Sequence, residues 1–137
     1  MFLALDQVSL RYPGAGTTRH AVDRVSLGLA RGQIGVLIGP SGCGKTSLLR
    51  SIAGLERLHS GRILIDKEPL ADAATGLHVA PEARRIGMVF QDYALFPHLS
   101  IADNIGFGLR HLARAERERR IQEVLDLVGL AHAAKRA

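Results

Sequence analysis

Gln33-Ile34-Gly35-Val36-Leu37-Ile38, followed at once by Gly39-Pro40-Ser41-Gly42-Cys43-Gly44-Lys45-Thr46, is the stretch on which the fold turns. Its apolar run suits a strand over residues 33–38 buried on both faces, as in a parallel sheet. A helix is expected over residues 45–53, with Gly54 placed as its C-terminal cap. Strand, glycine-rich loop and helix are the context in which G-x-x-x-x-G-K-[ST] marks a phosphate-binding loop, against the alternative of a chance glycine-rich turn. Gly42 and Gly44 let consecutive backbone N–H groups turn inward without a side chain in the way. The start of the helix adds unsatisfied N–H groups and a positive dipole end. Lys45 brings a full charge for the β and γ phosphates, and the Thr46 hydroxyl is a hard oxygen ligand suited to Mg²⁺. Ser47 is placed to reach the α phosphate. The expected ligands are therefore a nucleotide and Mg²⁺, held by Gly39, Pro40, Ser41, Gly42, Cys43, Gly44, Lys45, Thr46 and Ser47.

Upstream, Val8 and Leu10 and the alternation Val22, Val25, Leu27, Leu29 predict two antiparallel strands joined through Pro13-Gly14-Ala15-Gly16. Met1 to Leu5 lacks a basic lead and a cleavage site and reads as part of the first strand, not a signal peptide. Downstream, residues 62–65 form a short strand after a Ser60-Gly61 turn, and residues 70–84 read as a surface loop or short helix. Residues 85–90 are expected to return as a buried strand, with a loop over 92–99. Ser100 caps a helix, with Asp103 three residues on. Ile121, Val124, Leu125 and Val128 then mark the apolar face of a last helix ending at Gly129.

The chain has 137 residues, 47% hydrophobic and 23% charged, enough for one domain with a core. No apolar run approaches the roughly 20 residues of a membrane span. The single Cys43 forms no internal disulfide and fits a reducing cytosol. Beside Lys45 at a helix start it is either a reactive thiolate or an inert small residue. The net charge of +5 rests on 15 Arg and three Lys. The dense basic run over residues 110–120 is interleaved with Glu116 and Glu118 and reads as a solvated helix face. With no Trp and few aromatics, a nucleic-acid groove is not expected.

Further motifs fall in a fixed order around the loop: Tyr12-Pro13-Gly14, Gly54-Leu55-Glu56, Ser60-Gly61-Arg62-Ile63, then Val89-Phe90-Gln91-Asp92-Tyr93-Ala94-Leu95-Phe96-Pro97-His98-Leu99-Ser100 leading to Asn104-Ile105. Over essentially the whole chain this series resembles the N-terminal half of ATP-binding cassette (ABC) transporter ATP-binding subunits. The resemblance implies an α/β fold, a partial P-loop NTPase (RecA-like) core with an N-terminal antiparallel β subdomain. On the residues alone, Tyr12 is open between turn packing and a ring offered to a base, and Gln91 between a strand end and a functional amide. The resemblance implies that the nucleotide is ATP and that Tyr12 stacks on adenine. It implies that Gln91 touches Mg²⁺ and the attacking water, and that Lys45 and Gln91 serve catalysis, with Thr46 and Gln91 at the metal. Residues 92–99, with Leu95 and Phe96, resemble the surface that receives a membrane-spanning partner.

The implied partners are transmembrane permease subunits, a second nucleotide-binding subunit in a homodimer and, indirectly, a periplasmic or extracellular solute-binding protein; nucleic acid is not among them. The implied location is peripheral, on the cytoplasmic face of the inner membrane. Residues 81–98 look like importer subunits, most similar to those for ferric iron, with polyamine, sulfate and sugar importers close behind.

The chain ends at Ala137, before the family's signature motif, its Walker B acidic strand with catalytic glutamate, and its switch histidine. Residues 1–137 are thus expected to be the N-terminal part of a nucleotide-binding domain. Ile63-Leu64-Ile65-Asp66 is no substitute, because Lys67 follows and the run precedes Gln91. Asp126 lies among apolar helix positions, and no His follows an acidic strand, so no catalytic base is assigned. The 137 residues alone are expected to bind ATP weakly, hardly to hydrolyse it, and to expose apolar surface where parallel neighbours are wanting. The rival readings are a small-molecule kinase, whose lid and acidic residues are not found, and a non-catalytic nucleotide-binding module.

Overall fold

The computed structural model describes residues 1–13, 18–40, 44–92 and 94–137. The proposed turn residues Gly14, Ala15 and Gly16, the loop residues Ser41, Gly42 and Cys43, and Tyr93 lie outside the described residues. The chain divides into two compact units, Met1–Met88 and Val89–Ala137.

The first unit is built on a five-stranded antiparallel sheet: β1 (Leu3–Pro13), β2 (Thr18–Leu29), β3 (Ser60–Ile65), β4 (Glu68–Asp72) and β5 (Leu77–His78). Their spatial order is β2-β1-β3-β4-β5. β1 and β2 are the hairpin expected from the alternation, pairing from Leu3 opposite Leu29 to Pro13 opposite Thr18. The ladder bulges between Leu5 and Leu10, and side-chain hydroxyls satisfy the amides it frees: Arg24 N–H donates to Ser9 Oγ at 2.8 Å and Gln7 N–H to Ser26 Oγ at 2.9 Å. Inward positions of the sheet, Leu5, Val8, Leu10, Val22, Ile63 and Ala71, form one buried cluster with Leu48, while Ile52 and Leu58 pack on it. Leu48 and Ile52 belong to helix α1 (Lys45–Ala53), which has the bounds read from the sequence and ends at Gly54 in the left-handed conformation, φ 93°.

Four expectations are corrected. Residues 33–38 form no strand, and Ile34 and Ile38 are 91% and 92% exposed. Residues 85–90 likewise form no strand, with Val89 98% exposed. The reason is the same: an apolar run becomes a buried parallel strand only between two hydrogen-bonded neighbours, and no described strand runs beside either segment. The exposed apolar surface expected at these places is present. Ser60-Gly61 is not a turn before the third strand but lies inside β3. There Gly61, at φ 92°, lets the chain pass so close to β1 that a Cβ would stand 2.3 Å from the Gln7 carbonyl oxygen. Finally, residues 70–84 are neither plain loop nor helix. They hold the end of β4, all of β5 and a 3₁₀ turn, η1 (Pro81–Ala83), with Ala71 buried in the sheet.

The second unit comprises α2 (Ile101–Gly106), the 3₁₀ turn η2 (Phe107–Leu109), α3 (Arg114–Val128) and the 3₁₀ turn η3 (Ala131–Ala133). Ser100 caps α2 as expected, its Oγ accepting from Asp103 N–H at 3.1 Å. Gly106 leaves room for the Ile121 side chain, and Leu125 is buried. α3 ends at Gly129, φ 75°. Its charges pair along the exposed face, Arg114 with Glu118 at 3.2 Å and Arg120 with Glu123 at 3.0 Å, the solvated face read from the sequence. No helix among the described residues is long and apolar enough to cross a membrane.

Candidate functional site

Gly44 opens α1 in the left-handed conformation, φ 97°, and a Cβ there would stand 2.2 Å from the Ala21 carbonyl oxygen of β2. Only glycine lets the chain enter the helix this close to the sheet. The first backbone bond of the helix runs from Leu48 N–H to the Gly44 carbonyl at 2.9 Å. The earlier amides of the turn are left, by helix geometry, for an acceptor at the helix start. Lys45 Nζ donates back to the Gly39 carbonyl, so the ammonium spans the loop from its last residues to its first. Thr46 is exposed on the first turn.

Tyr12, at the end of β1 and 37% exposed, donates its hydroxyl proton toward Ser47 Oγ at 3.1 Å. The fold thus joins Tyr12 to Ser47 and Gly39 to Lys45 within the first unit. Gly39 is half-buried and Pro40 exposed, while Gln91 stands exposed at a bend in the second unit. The described donors fit a nucleotide with Mg²⁺: the backbone amides at the start of α1, one ammonium and one exposed hydroxyl. No three His, Cys, Asp or Glu gather among the described residues to hold an ion by themselves. The Thr46 hydroxyl is a hard oxygen that could bind Mg²⁺ together with oxygens of a phosphate ligand.

Two groups of residues received no role from the sequence reading, although Asn104 was named there as part of a motif. Asn104 fastens residues 96–100: its Oδ1 accepts from Phe96 N–H at 2.9 Å, and its Nδ2 donates to the carbonyls of Phe96 and Ser100 at 3.2 and 2.9 Å. It holds Phe96 against Phe107, ring centroids 4.5 Å apart, while Leu95 stays 67% exposed. The second group is Arg84 with His78. Arg84 is 5% exposed, and its guanidinium donates to the carbonyls of Val79, Ser51 and Ile52 at 2.7, 2.9 and 3.1 Å. Burial, with the charges of Arg84 and Arg57, holds His78 below its ordinary value, against the opposing bond to the Gly54 carbonyl. Periodicity carries no signal for either group, because each is made by one polar side chain reaching across the fold.

The family described as ABC transporter matches residues 22–137. The chain is 49% identical over 112 residues to the Fe(3+) ions import ATP-binding protein FbpC of Mannheimia succiniciproducens, covering 80% of this chain and 30% of that protein. It is 47% identical over 118 residues to the trehalose/maltose import ATP-binding protein MalK of Thermococcus litoralis, covering 85% and 32%. It is 50% identical over 123 residues to the sulfate/thiosulfate import ATP-binding protein CysA of Acinetobacter baylyi, covering 85% and 33%. The chain thus spans about a third of the length of these relatives. Among solved structures, a dimeric ATP-binding cassette in a post-hydrolysis state, bound to ADP and Pi, superposes with a TM-score of 0.82 at 27% identity, covering 98% of this chain and 60% of that one.

Proposed function

The chain belongs to the ABC transporter family, its fold is a partial P-loop NTPase core with an antiparallel β subdomain, and on that premise we propose that it is the ATP-binding part of an importer's energising subunit. The carrying observation is the entry to α1, where Gly44 lies against β2 and the Lys45 ammonium donates to the Gly39 carbonyl. In this reading the amides of residues 39–47 and the Lys45 ammonium bind and orient the triphosphate. Thr46 supplies its hydroxyl to Mg²⁺, which when bound neutralises charge on the β and γ oxygens. Ser47 turns to the α phosphate, Tyr12 stacks on the base, and Gln91 orients water and contributes to the metal. Residues 1–137 are then the N-terminal part of a nucleotide-binding domain, and these residues alone bind ATP weakly and hydrolyse it negligibly, because they position phosphates without activating water.

The proposed partners are transmembrane permeases meeting the segment around Leu95 and Phe96, a second copy across a dimer interface and, through the permeases, a solute-binding protein. The place is the cytoplasmic face of the membrane. Ferric iron is the proposed solute, with polyamine, sulfate or sugar as the alternatives; relatives named for iron, sugar and sulfate stand at similar identity. Titration calorimetry of the full chain with MgATP should give saturable binding that Lys45→Ala weakens by roughly tenfold or more. An unchanged affinity in Lys45→Ala would overturn the reading.

A further inference from the structure

The strongest feature outside the phosphate loop is the polar clasp on the far end of α1. Arg84 is nearly inaccessible, and its Nη1 donates to the carbonyls of Ser51 and Ile52 at 2.9 and 3.1 Å, in the last turn of that helix. The guanidinium lies over Gly54, where a Cβ would stand 2.7 Å from Arg84 Nε. Its Nε donates to the Val79 carbonyl at 2.7 Å, and its Nη2 lies 3.3 Å from His78 Nδ1. His78 Nε2 lies in turn 3.1 Å from the Gly54 carbonyl oxygen. A guanidinium only donates, so Nδ1 of His78 accepts, the ring is neutral, and its proton sits on Nε2 facing Gly54. The four groups close a ring: Arg84 to the helix end and to His78, and His78 back to the helix cap.

A helix end leaves its last carbonyls without intrahelical partners and carries a negative dipole end, so a buried cation there is well placed. Arg84 therefore ties the end of α1 to β5 and to the residue that follows it, Val79. The opposite end of α1 is set against β2 by the close approach of Gly44 to Ala21. The helix has nine residues, about 13 Å, and is pinned at both ends.

We infer that Arg84 and His78 are positioning residues for the nucleotide site: by holding the far end of α1 they set the orientation of Lys45, Thr46 and Ser47 toward the phosphates, and a proton on His78 releases that hold. The inference rests on the reading of residues 39–47 as a nucleotide site. Protonated His78 has no lone pair at Nδ1 for Arg84 and brings a second positive charge to within hydrogen-bond distance of the guanidinium. Among the described residues the charged groups that act on the ring are Arg84 and Arg57, both cations, and the opposing pull is that of the Gly54 carbonyl. Protonation thus strains the clasp from two sides, and a pinned strut freed at one end can tilt at the other.

The test is the dissociation constant of MgATP for the full chain, measured from about pH 8 to about pH 5, the range in which His titrates. Four proteins are compared: wild type, His78→Gln, Arg84→Lys and Lys45→Ala. Gln keeps a donor for Gly54 but cannot charge. The nucleotide's own protonation is common to wild type and His78→Gln, and cancels between them. Wild type should lose roughly threefold to tenfold more affinity than His78→Gln on the acid side. Arg84→Lys, which retains charge but not the fork, should bind roughly tenfold more weakly already at neutral pH. Parallel pH curves for wild type and His78→Gln would overturn the inference, and if Arg84→Lys does not fold, those two curves decide. Lys45→Ala separates the two layers: if it binds like wild type, the nucleotide reading itself has failed. If it loses binding while His78→Gln and Arg84→Lys match wild type, only the clasp has.

Discussion

Two kinds of apolar sequence lie side by side in this chain and meet opposite fates. Val8 and Leu10 alternate with polar residues and, with Leu5 and Ile63, are buried in the antiparallel sheet, Val8 and Ile63 completely. Ile34, Val36 and Ile38, and beyond them Val89, come from equally apolar stretches and lie in water without a ladder. The difference is topology, not hydrophobicity. β1 and β2 are hairpin neighbours and β3 to β5 are joined by short turns, while the one distant pairing, β3 on β1, joins these two locally built ribbons. A parallel strand waits for a partner delivered by a crossover, and without one its amides and side chains stay solvated. Antiparallel pairing builds the sheet, and Gly44 at the start of α1 lies close against β2.

The comparison breaks most readily through truncation. Ile63→Ala removes a fully buried side chain and should cost about 2–5 kcal/mol, whereas Ile34→Ala should change stability by no more than about 0.5 kcal/mol. Urea unfolding of both variants of the same chain checks this, and equal losses would mean that residues 33–38 are buried after all. A smaller contrast sharpens the point for the backbone. Gly61 and Gly76 share a positive φ, 92° and 75°, but only Gly61 faces a carbonyl, while Gly76 has nothing near. Gly76→Ala should cost about 1–2 kcal/mol of conformational strain alone, and Gly61→Ala about 3 kcal/mol or more, because β1 must also move.

The hairpin, α1 with its Gly54 cap and α2 with its Ser100 cap were legible because each is written in a short window, as alternation, as a glycine at a helix end, or as a hydroxyl before one. The motif over residues 39–46 is likewise written in a short window, and the structure confirms the helix that follows it from Lys45. The runs at 33–38 and 85–90 were read as buried strands because an apolar run reports a preference for burial and says nothing about whether a neighbour is present. β5 escaped notice because two residues, Leu77 and His78, carry no period. Arg84 escaped for a deeper reason. Among Pro81, Glu82 and Ala83 it reads as an exposed loop cation, and only the arrival of three carbonyls and an imidazole around it makes its burial tolerable.

The smallest expected effect separates the two regions by pH. Residues 33–40 carry no titratable side chain, whereas the edge strand of the sheet carries His78. The fold holds His78 below its ordinary value of 6.5, mainly by burial and then by the charges of Arg84 and Arg57. The unfolded chain therefore takes up a proton at this site before the folded one does. Stability from the neutral ring is fully present above about pH 6.5 and falls as the pH drops from there through the lower folded value, below which the loss is complete. Because the ring is only partly buried, the slope should be shallow. Urea midpoints measured on either side of pH 6.5 should drop modestly on the acid side in wild type and less in His78→Gln. A steeper acid loss in the variant would reverse the sign and mean that the folded state prefers the charged ring, which the proximity of two arginines forbids.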